Sequence, residues 1–504
     1  MKHEKLSEAM EHISDRHIAE ASAPKKPQLW VGAVAAVLAL CLVAGMLLRP
    51  STTGDPTLQE PSNVVLRPAP SDPPFEPLQP VEQLSHKYAV SLAAYPLMHP
   101  YPTIPETGYF DQDAYSKWAQ DNRAIHNQPL GYADNLRSTW TQLLPELLSG
   151  KPGQNTACSP ANLYMALAML AETTNGNSRD QILRLLRADN ISALREQANH
   201  LWRGHYNNDS LNKTILGSSL WLDDSYRYNE STVKLLTENY YASVFRGDLA
   251  AEEMSVALRS WLNEQTDGLL QNQAQDISFD PQTVLALATT LCYQVQWKNE
   301  FYDELNTQQV FHSPKGDYME TFMHQELTYG PYYWSEHFGA ISLPLEDGSE
   351  MWLILPDEGV SPEEITEEVA QFLAQNPNST PGGYENKKTV RVKLSVPKFD
   401  VSGDLDAVET LKKLGITDVF SAKTADFSPI IPEESSAFVG SVSHAARVKI
   451  DEQGVTAAAY TVLIECGAAM PPTDEVIFTL DRPFMFCVES SAGVPLFAGI
   501  VNEP

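Results

Sequence analysis

The sequence predicts one large mixed α+β domain preceded by an N-terminal transmembrane helix, and three observations predict it. Strand-like runs (ILGSSLWL, VLALATTLCYQVQW, EMWLILP, VRVKLSVPKF) and helical ones (STVKLLTENYYASVF, SVALRSWLNEQTDGLL, DAVETLKKLGI) occur without regular alternation, which argues against a doubly wound parallel sheet. With 504 residues, 43% hydrophobic and 20% charged, the chain can bury a sizeable core and lacks the composition of a disordered protein. Leu29 to Leu48 runs for twenty residues without a charge, long enough to cross a hydrocarbon core as a helix.

Composition excludes several function classes. A formal charge of -30 repels phosphate backbones, so nucleic acid is not an expected partner, and the charge serves solubility. Cys41, Cys158, Cys292, Cys466 and Cys487 show neither paired nor CxxC spacing, so no disulfide framework, metal site or cofactor is indicated. The chain carries no GxSxG, HExxH, P-loop or dinucleotide fingerprint, and it does not read as an enzyme.

Taken in order, residues 1–28 form a charged tail, in which Leu6, Met10, Ile13 and His17 recur at helical spacing. Residues 29–48 follow as the apolar span. Lys25 and Lys26 precede it and Arg49 follows, which places the tail in the cytoplasm and the bulk outside the cell. The run exceeds the apolar core of a secretory signal peptide, so a retained single-pass anchor is expected. Residues 49–85 are proline-rich and aperiodic, a semi-rigid stalk. Residues 86–130 are rich in aromatic side chains and read as an ordered extension packed on the main domain, which fills residues 131–504. In that domain ADNLRSTWTQLLPELL is helical up to Gly150, and Ser159-Pro160 marks the start of a second, apolar helix, ANLYMALAMLAE.

The C-terminal part holds an unusual loop, Asp451 to Glu475, between the strand-like runs HAARVKI and EVIFTLDRPFMFCVE. From Val455 to Met470 it contains no proline and mostly small or strand-compatible residues, so its backbone could donate every ladder bond if drawn into a sheet. Its punctuation sits at the ends: Gly454 permits a backbone rotation, and Pro471-Pro472 hold the far side extended. This is a loop that can become a strand.

Seven separated motifs, in order, resemble the serpin family: NTACSPANLYMALAML, SSLWLDDSYRYNESTVKLLTENYYASVF, LALATTLCYQVQWKNEF, MWLILPDE, VKLSVPKFDVSGDLDAVETLKKLGITDVFSAKTADFS, SHAARVKIDEQGVTAAA and DRPFMFCVESSAGVPLFAGIVNEP. The resemblance covers about Gly131 to Pro504. It implies a single domain of three β-sheets and eight to nine helices, with residues 452–475 presented as protease bait. It also implies the family's mechanism, in which the cleaved loop inserts into the central sheet and distorts the attached protease. Counting from Glu452, and back from Pro471-Pro472, the resemblance places the reactive bond at Ala468-Ala469, with Cys466 or Met470 within its margin. A small residue there suits elastase-like or subtilisin-like proteases.

Hinge residues carried over are Glu452, Gly454, Val455, Ala457, Ala458 and Ala459. Sheet-opening control falls to Lys398, paired with Glu452 at the sheet's top, Trp297 beneath it, and Ser159, Asn162, Thr289 and His444 at the middle. Asn162 stands where the family has a serine, Thr289 where it has an asparagine, and Val455 where it has Thr or Ser. Alternation would bury Val455, Ala457, Ala459, Thr461, Leu463 and Glu465, and the last of these, an acid, needs solvent or a partner. The expected activity is thus suicide inhibition of serine, and by extension cysteine, endopeptidases by a monomer at the outer cell surface. The alternative is a non-inhibitory binding or carrier protein, whose hinge would carry charge or proline.

Overall fold

A computed structural model describes residues 84–102, 111–149, 152–209, 211–271, 274–275, 277–378, 384–433, 437–440, 442–455 and 472–504. The tail, the apolar span at 29–48 and nearly all of the stalk lie outside the described residues. Among the described residues no helix is long and apolar enough to cross a membrane.

The chain begins with a 3-10 turn at Leu84–Tyr88, strand β1 (Ala89–Ser91) and helix α1 (Gln112–His126). Next come α2 (Arg137–Leu148), β2 (Thr156–Cys158), α3 (Pro160–Thr173), α4 (Gly176–Leu185), α5 (Ile191–His205), β3 (Asn207–Asn208), β4 (Lys213–Asp223) and α6 (Glu230–Tyr240). The middle holds β5 (Ala242–Gly247), α7 (Glu252–Gln265), β6 (Leu285–Gln296), β7 (Thr307–Ser313), β8 (Gly316–Trp334), β9 (Phe338–Pro344) and β10 (Glu350–Pro356). The last third contains α8 (Thr366–Ala374), β11 (Lys387–Pro397), β12 (Phe399–Asp406), α9 (Val408–Lys413), β13 (Ser443–Ile450), β14 (Gly454–Val455), β15 (Glu475–Thr479), β16 (Phe484–Glu489) and β17 (Pro495–Val501).

These strands form two sheets, not the three expected. One runs β1-β5-β4-β6-β14-β13-β12, with β3 beside β4, and is the central sheet; the other runs β15-β11-β8-β9-β10-β16-β17-β2, with β7 beside β8. The reason is β8, a strand of 19 residues that pairs with β7 at its start, β11 along most of its length and β9 at its end. A register shift between Val390 and Val392 in β11 lets the pair bend, so one strand serves two groups that would otherwise be separate.

Sequence and structure agree at the start of α3. The Ser159 hydroxyl accepts from the Asn162 N–H at the helix N-terminus, Pro160 occupies the first turn, and an almost wholly apolar sequence matches a helix buried on all sides. It packs between β6 of the central sheet and β17 of the other. They disagree over STVKLLTENYYASVF, where a single helix is expected. Tyr241 takes a left-handed conformation (φ 51), stacks on Trp202 at 3.6 Å between ring centroids, and ends α6; Ala242–Gly247 then joins the sheet as β5. The sequence also gave no sign of α1, which Asp111 caps by accepting from the N–H groups of Asp113 and Ala114.

Candidate functional site at the sheet hinge

The central sheet consists of two halves, β1-β5-β4-β6 and β13-β12, and among the described residues β14 is what joins them. Gly454 pairs with Gln296 and Val455 with Val295 on β6, while Val455 also pairs with Ile450 on β13, antiparallel in both cases. No ladder connects β6 to β13 directly. Two residues at the start of the loop therefore pair with both halves of the sheet. Residues 456–471 follow immediately, and the expected Ala457, Ala458, Ala459, Ala468 and Ala469, together with Cys466, lie outside the described residues.

Gly454 is required here for a different reason from the one its sequence context suggests. A Cβ at this position would lie 2.4 Å from the Val295 carbonyl oxygen and 2.7 Å from the Gln296 Cα. Any side chain would push β14 off β6, so the glycine serves close approach rather than rotation. Val455 beside it is 2% exposed and joins the main core.

The top of the site is a cluster around Glu452. Its carboxylate forms an ion pair with Lys398 and accepts from Asn306 Nδ2. Burial acts to raise the Glu452 carboxyl, but hydrogen bonds from Lys398 and Asn306 outweigh it and hold the group below its ordinary value. Asp303 faces the same carboxylate and is pushed up, first by that charge and then by burial. Trp297, 2% exposed, donates from Nε1 to the Asp451 carbonyl at 2.8 Å, and its N–H donates to Gln453 at 2.9 Å. The Phe301 N–H adds a bond to the Glu452 carbonyl at 3.0 Å. Three backbone carbonyls ahead of the loop are thus tied to the chain leaving β6.

At the middle of the sheet Ser159 and His444 meet, but through the backbone: the Ser159 N–H donates to His444 Nε2 at 2.8 Å, while the hydroxyl caps α3. Burial lowers the imidazole to about 4, so the ring is neutral with its proton on Nδ1. Asn162, 2% exposed, has its Oδ1 buried without a hydrogen-bond partner among the described residues. Thr289 is half-buried opposite Ser218 on β4, and no described hydrogen bond joins it to Ser159, Asn162 or His444. The structure therefore brings Lys398, Glu452 and Trp297 into one cluster and Ser159, Asn162 and His444 into a second. Asn306 and Asp303 were missed by sequence reasoning, since neither lies in a motif with a recognisable spacing.

Cys158, Cys292 and Cys487 are buried and free, and burial pushes the Cys158 and Cys292 thiols up to about 12. Among the described residues no group of three or more His, Cys, Asp or Glu side chains could hold a metal ion. The geometry holds β14 as a two-residue bridge between β6 and β13.

A family model described as "Serpin (serine protease inhibitor)" matches residues 135–504. Serpin-ZX of Arabidopsis thaliana is 27% identical over 370 residues, spanning 69% of this chain and 92% of the relative. Serpin-ZXA of Oryza sativa subsp. japonica is 27% identical over 380 residues, spanning 71% and 92%. Among solved structures, the thermophilic serpin tengpin in its native state aligns with a TM-score of 0.65 at 22% identity, over 75% of this chain and 95% of that one. Arabidopsis AtSerpin1 in its native stressed conformation aligns at 0.62 and 24% identity, over 75% and 99%.

Proposed function

The chain belongs to the serpin family, and from that premise we propose that it is a suicide-type inhibitor of serine endopeptidases, and of cysteine endopeptidases as a second class, tethered at the outer cell surface by residues 29–48. Serpins are generally inhibitors of proteases rather than enzymes. The observation that carries the reading is β14, which already pairs with both strands between which a cleaved loop would run.

In the inserted state we propose, that register continues residue by residue. Thr461 then faces Thr289 on one side and His444 on the other, and Glu465 meets Leu285, the first residue of β6. Both outcomes suit the chemistry. On β13 the alternate residues Ile450, Val448, Ala446 and His444 are buried, so the same face of the inserted strand carries Val455, Ala457, Ala459 and Thr461. Glu465 would end the strand at the sheet margin, where its carboxylate can reach water. About twelve residues at ~3.3 Å each would carry an attached protease roughly 40 Å.

We place the reactive bond at Ala468-Ala469, with a target of elastase-like or subtilisin-like preference for small residues. The test is a panel of such proteases, read as an SDS-stable complex and by sequencing the released C-terminal peptide. Nicking near Ala468 should also raise the melting temperature of the protein. Clean turnover by every protease with no gain in heat tolerance would instead mark a binding or carrier protein whose loop is cut without trapping anything.

A further inference from the structure

The described chain enters the central sheet at the end away from the hinge. β14 meets β6 at Val295 and Gln296, whereas Leu285 at the other end of β6 pairs with Leu222 on β4. β4 and β5 run parallel, so Gly247, opposite Asp223, closes β5 at that same far end. β1 is antiparallel to β5, pairing Ala89 with Phe245 and then Ser91 with Val244, and therefore climbs from the far end towards the hinge. Tyr88 just before it sits beside Gly247, its Cδ1 3.2 Å from where a Cβ on that glycine would stand. Leu84–Tyr88 is a single 3-10 turn, so at roughly 2.0 Å per residue Leu84 lies within about 10 Å of Tyr88.

This entry is fixed to the β5-β4-β6 half of the sheet. Tyr88 and Ala89 pack into the cluster of Trp221, Phe245, Met254 and Trp261 under α7, and the Ala93 N–H donates to the Ser243 hydroxyl at 3.0 Å. The Tyr95 hydroxyl donates to Gln265 at 3.0 Å. Its ring lies 5.5 Å from that of Trp202, whose Nε1 donates to the Leu216 carbonyl on β4 at 2.8 Å. The point from which residues 1–83 depart thus rides with β6. Three strand spacings of ~4.8 Å, about 14 Å in all, separate β1 from β6 across the sheet.

We infer that a trapped protease is set down at the end of the domain from which the stalk leaves, so that the length of residues 49–83 limits the size of protease that a membrane-held chain can trap. In the inserted register Glu465 meets Leu285 at the far end, and Ala468, the residue before the reactive bond, follows three residues later. A protease of about 230 residues has a radius of gyration of roughly 17 Å and hence a diameter of about 45 Å, so it overlaps the root of the stalk. It needs that much room between domain and bilayer. A flexible chain of the stalk's 35 residues averages about 33 Å end to end, which is too little. Nine of those residues are proline, which favours extension at ~3.1 Å per residue, up to roughly 110 Å. Bait at the hinge end stays accessible whatever the stalk's length. This inference rests on the readings that the loop inserts and that residues 29–48 anchor the chain.

The test compares the full chain with a variant lacking residues 56–80, each in phosphatidylcholine vesicles and in detergent micelles. The ten residues left of 49–83 span at most about 36 Å. The probe is the elastase-like or subtilisin-like protease that the parent traps best. In vesicles the variant should be cut at the parental rate, while its ratio of SDS-stable complex to cleaved product falls at least about tenfold. In micelles, where no extended bilayer stands in the way, the ratio should return to within about twofold of the parent. A variant that traps at the parental ratio in vesicles, or that fails to trap in micelles as well, overturns the inference. Failure of the underlying readings shows in the parent instead: no complex in micelles sinks insertion, no partition into vesicles sinks the anchor, and either takes the inference with it.

Discussion

At the residue scale the site depends on side chains whose charge state is fixed by burial. His444 is neutral because its imidazole, 4% exposed, falls from 6.5 to about 4 on folding. The folded state therefore binds fewer protons than the unfolded chain between these values. Stability is fully present above pH 6.5 and is lost as pH falls towards 4, by about 3 kcal/mol at roughly 1.36 kcal/mol per pKa unit. His205, also lowered to about 4 by burial, adds a loss of the same sign over the same window. Replacing His444 with glutamine, which can still accept from the Ser159 N–H, should remove about half of the fall in melting temperature that the two histidines produce. An unchanged pH dependence in the variant would mean that the ring does not titrate as its surroundings demand. Glu452 works in the opposite range: its carboxyl is held below its ordinary value, so the Lys398 ion pair persists until much stronger acid.

At the element scale the hinge is two residues of strand, and its behaviour follows from backbone pairing. β14 exchanges ladder bonds with β6 and β13 at once, so whatever follows it can extend the sheet only if each residue has an N–H and fits the pleat. Ala457→Pro removes such an N–H three residues beyond Gly454 without changing the length of the loop. The expected outcome is a substrate in place of an inhibitor: complex formation on SDS gels drops at least about tenfold relative to cleaved product, and the uncut protein melts at the parental temperature. A variant that still traps protease at the parental ratio would rule out pairing beyond Val455. Two further elements show how tertiary contacts overrule local preference. α6 stops at Tyr241 because the ring stacks on Trp202 and the next residues gain β4 as a partner. Likewise, β8 merges two sheets because one long strand can satisfy three neighbours.

At the scale of the whole molecule, the two halves of the central sheet are joined, among the described residues, by a short bridge at one end of β6 and β13. Strand β1 lies on the sheet's outer edge, and the chain carries a formal charge of -30. The proposed anchor at residues 29–48 belongs to this scale too, because it would confine the proposed inhibitor to targets that reach the cell surface. The full chain expressed in cells should sediment with membranes, resist extraction by alkaline carbonate, and expose its C-terminal domain to an external protease. Release into the soluble fraction with an intact N-terminus would refute a membrane anchor.

The sequence by itself determined the family, the order of the motifs and the cap that starts α3, because each depends on local spacing or on side-chain types kept in a fixed order. Only the tertiary structure decided that the described strands form two sheets, that Ser159 meets His444 through its backbone, that Gly454 is needed for close approach, and that Asn306 and Asp303 share the hinge. It also decided where the aromatic extension packs, since Tyr95 meets Trp202 and Gln265 across more than a hundred residues of chain. The physical reason is the same throughout. Composition and periodicity report which face of an element avoids water, whereas strand neighbours, backbone hydrogen bonds and distances between remote residues exist only once the chain has closed on itself.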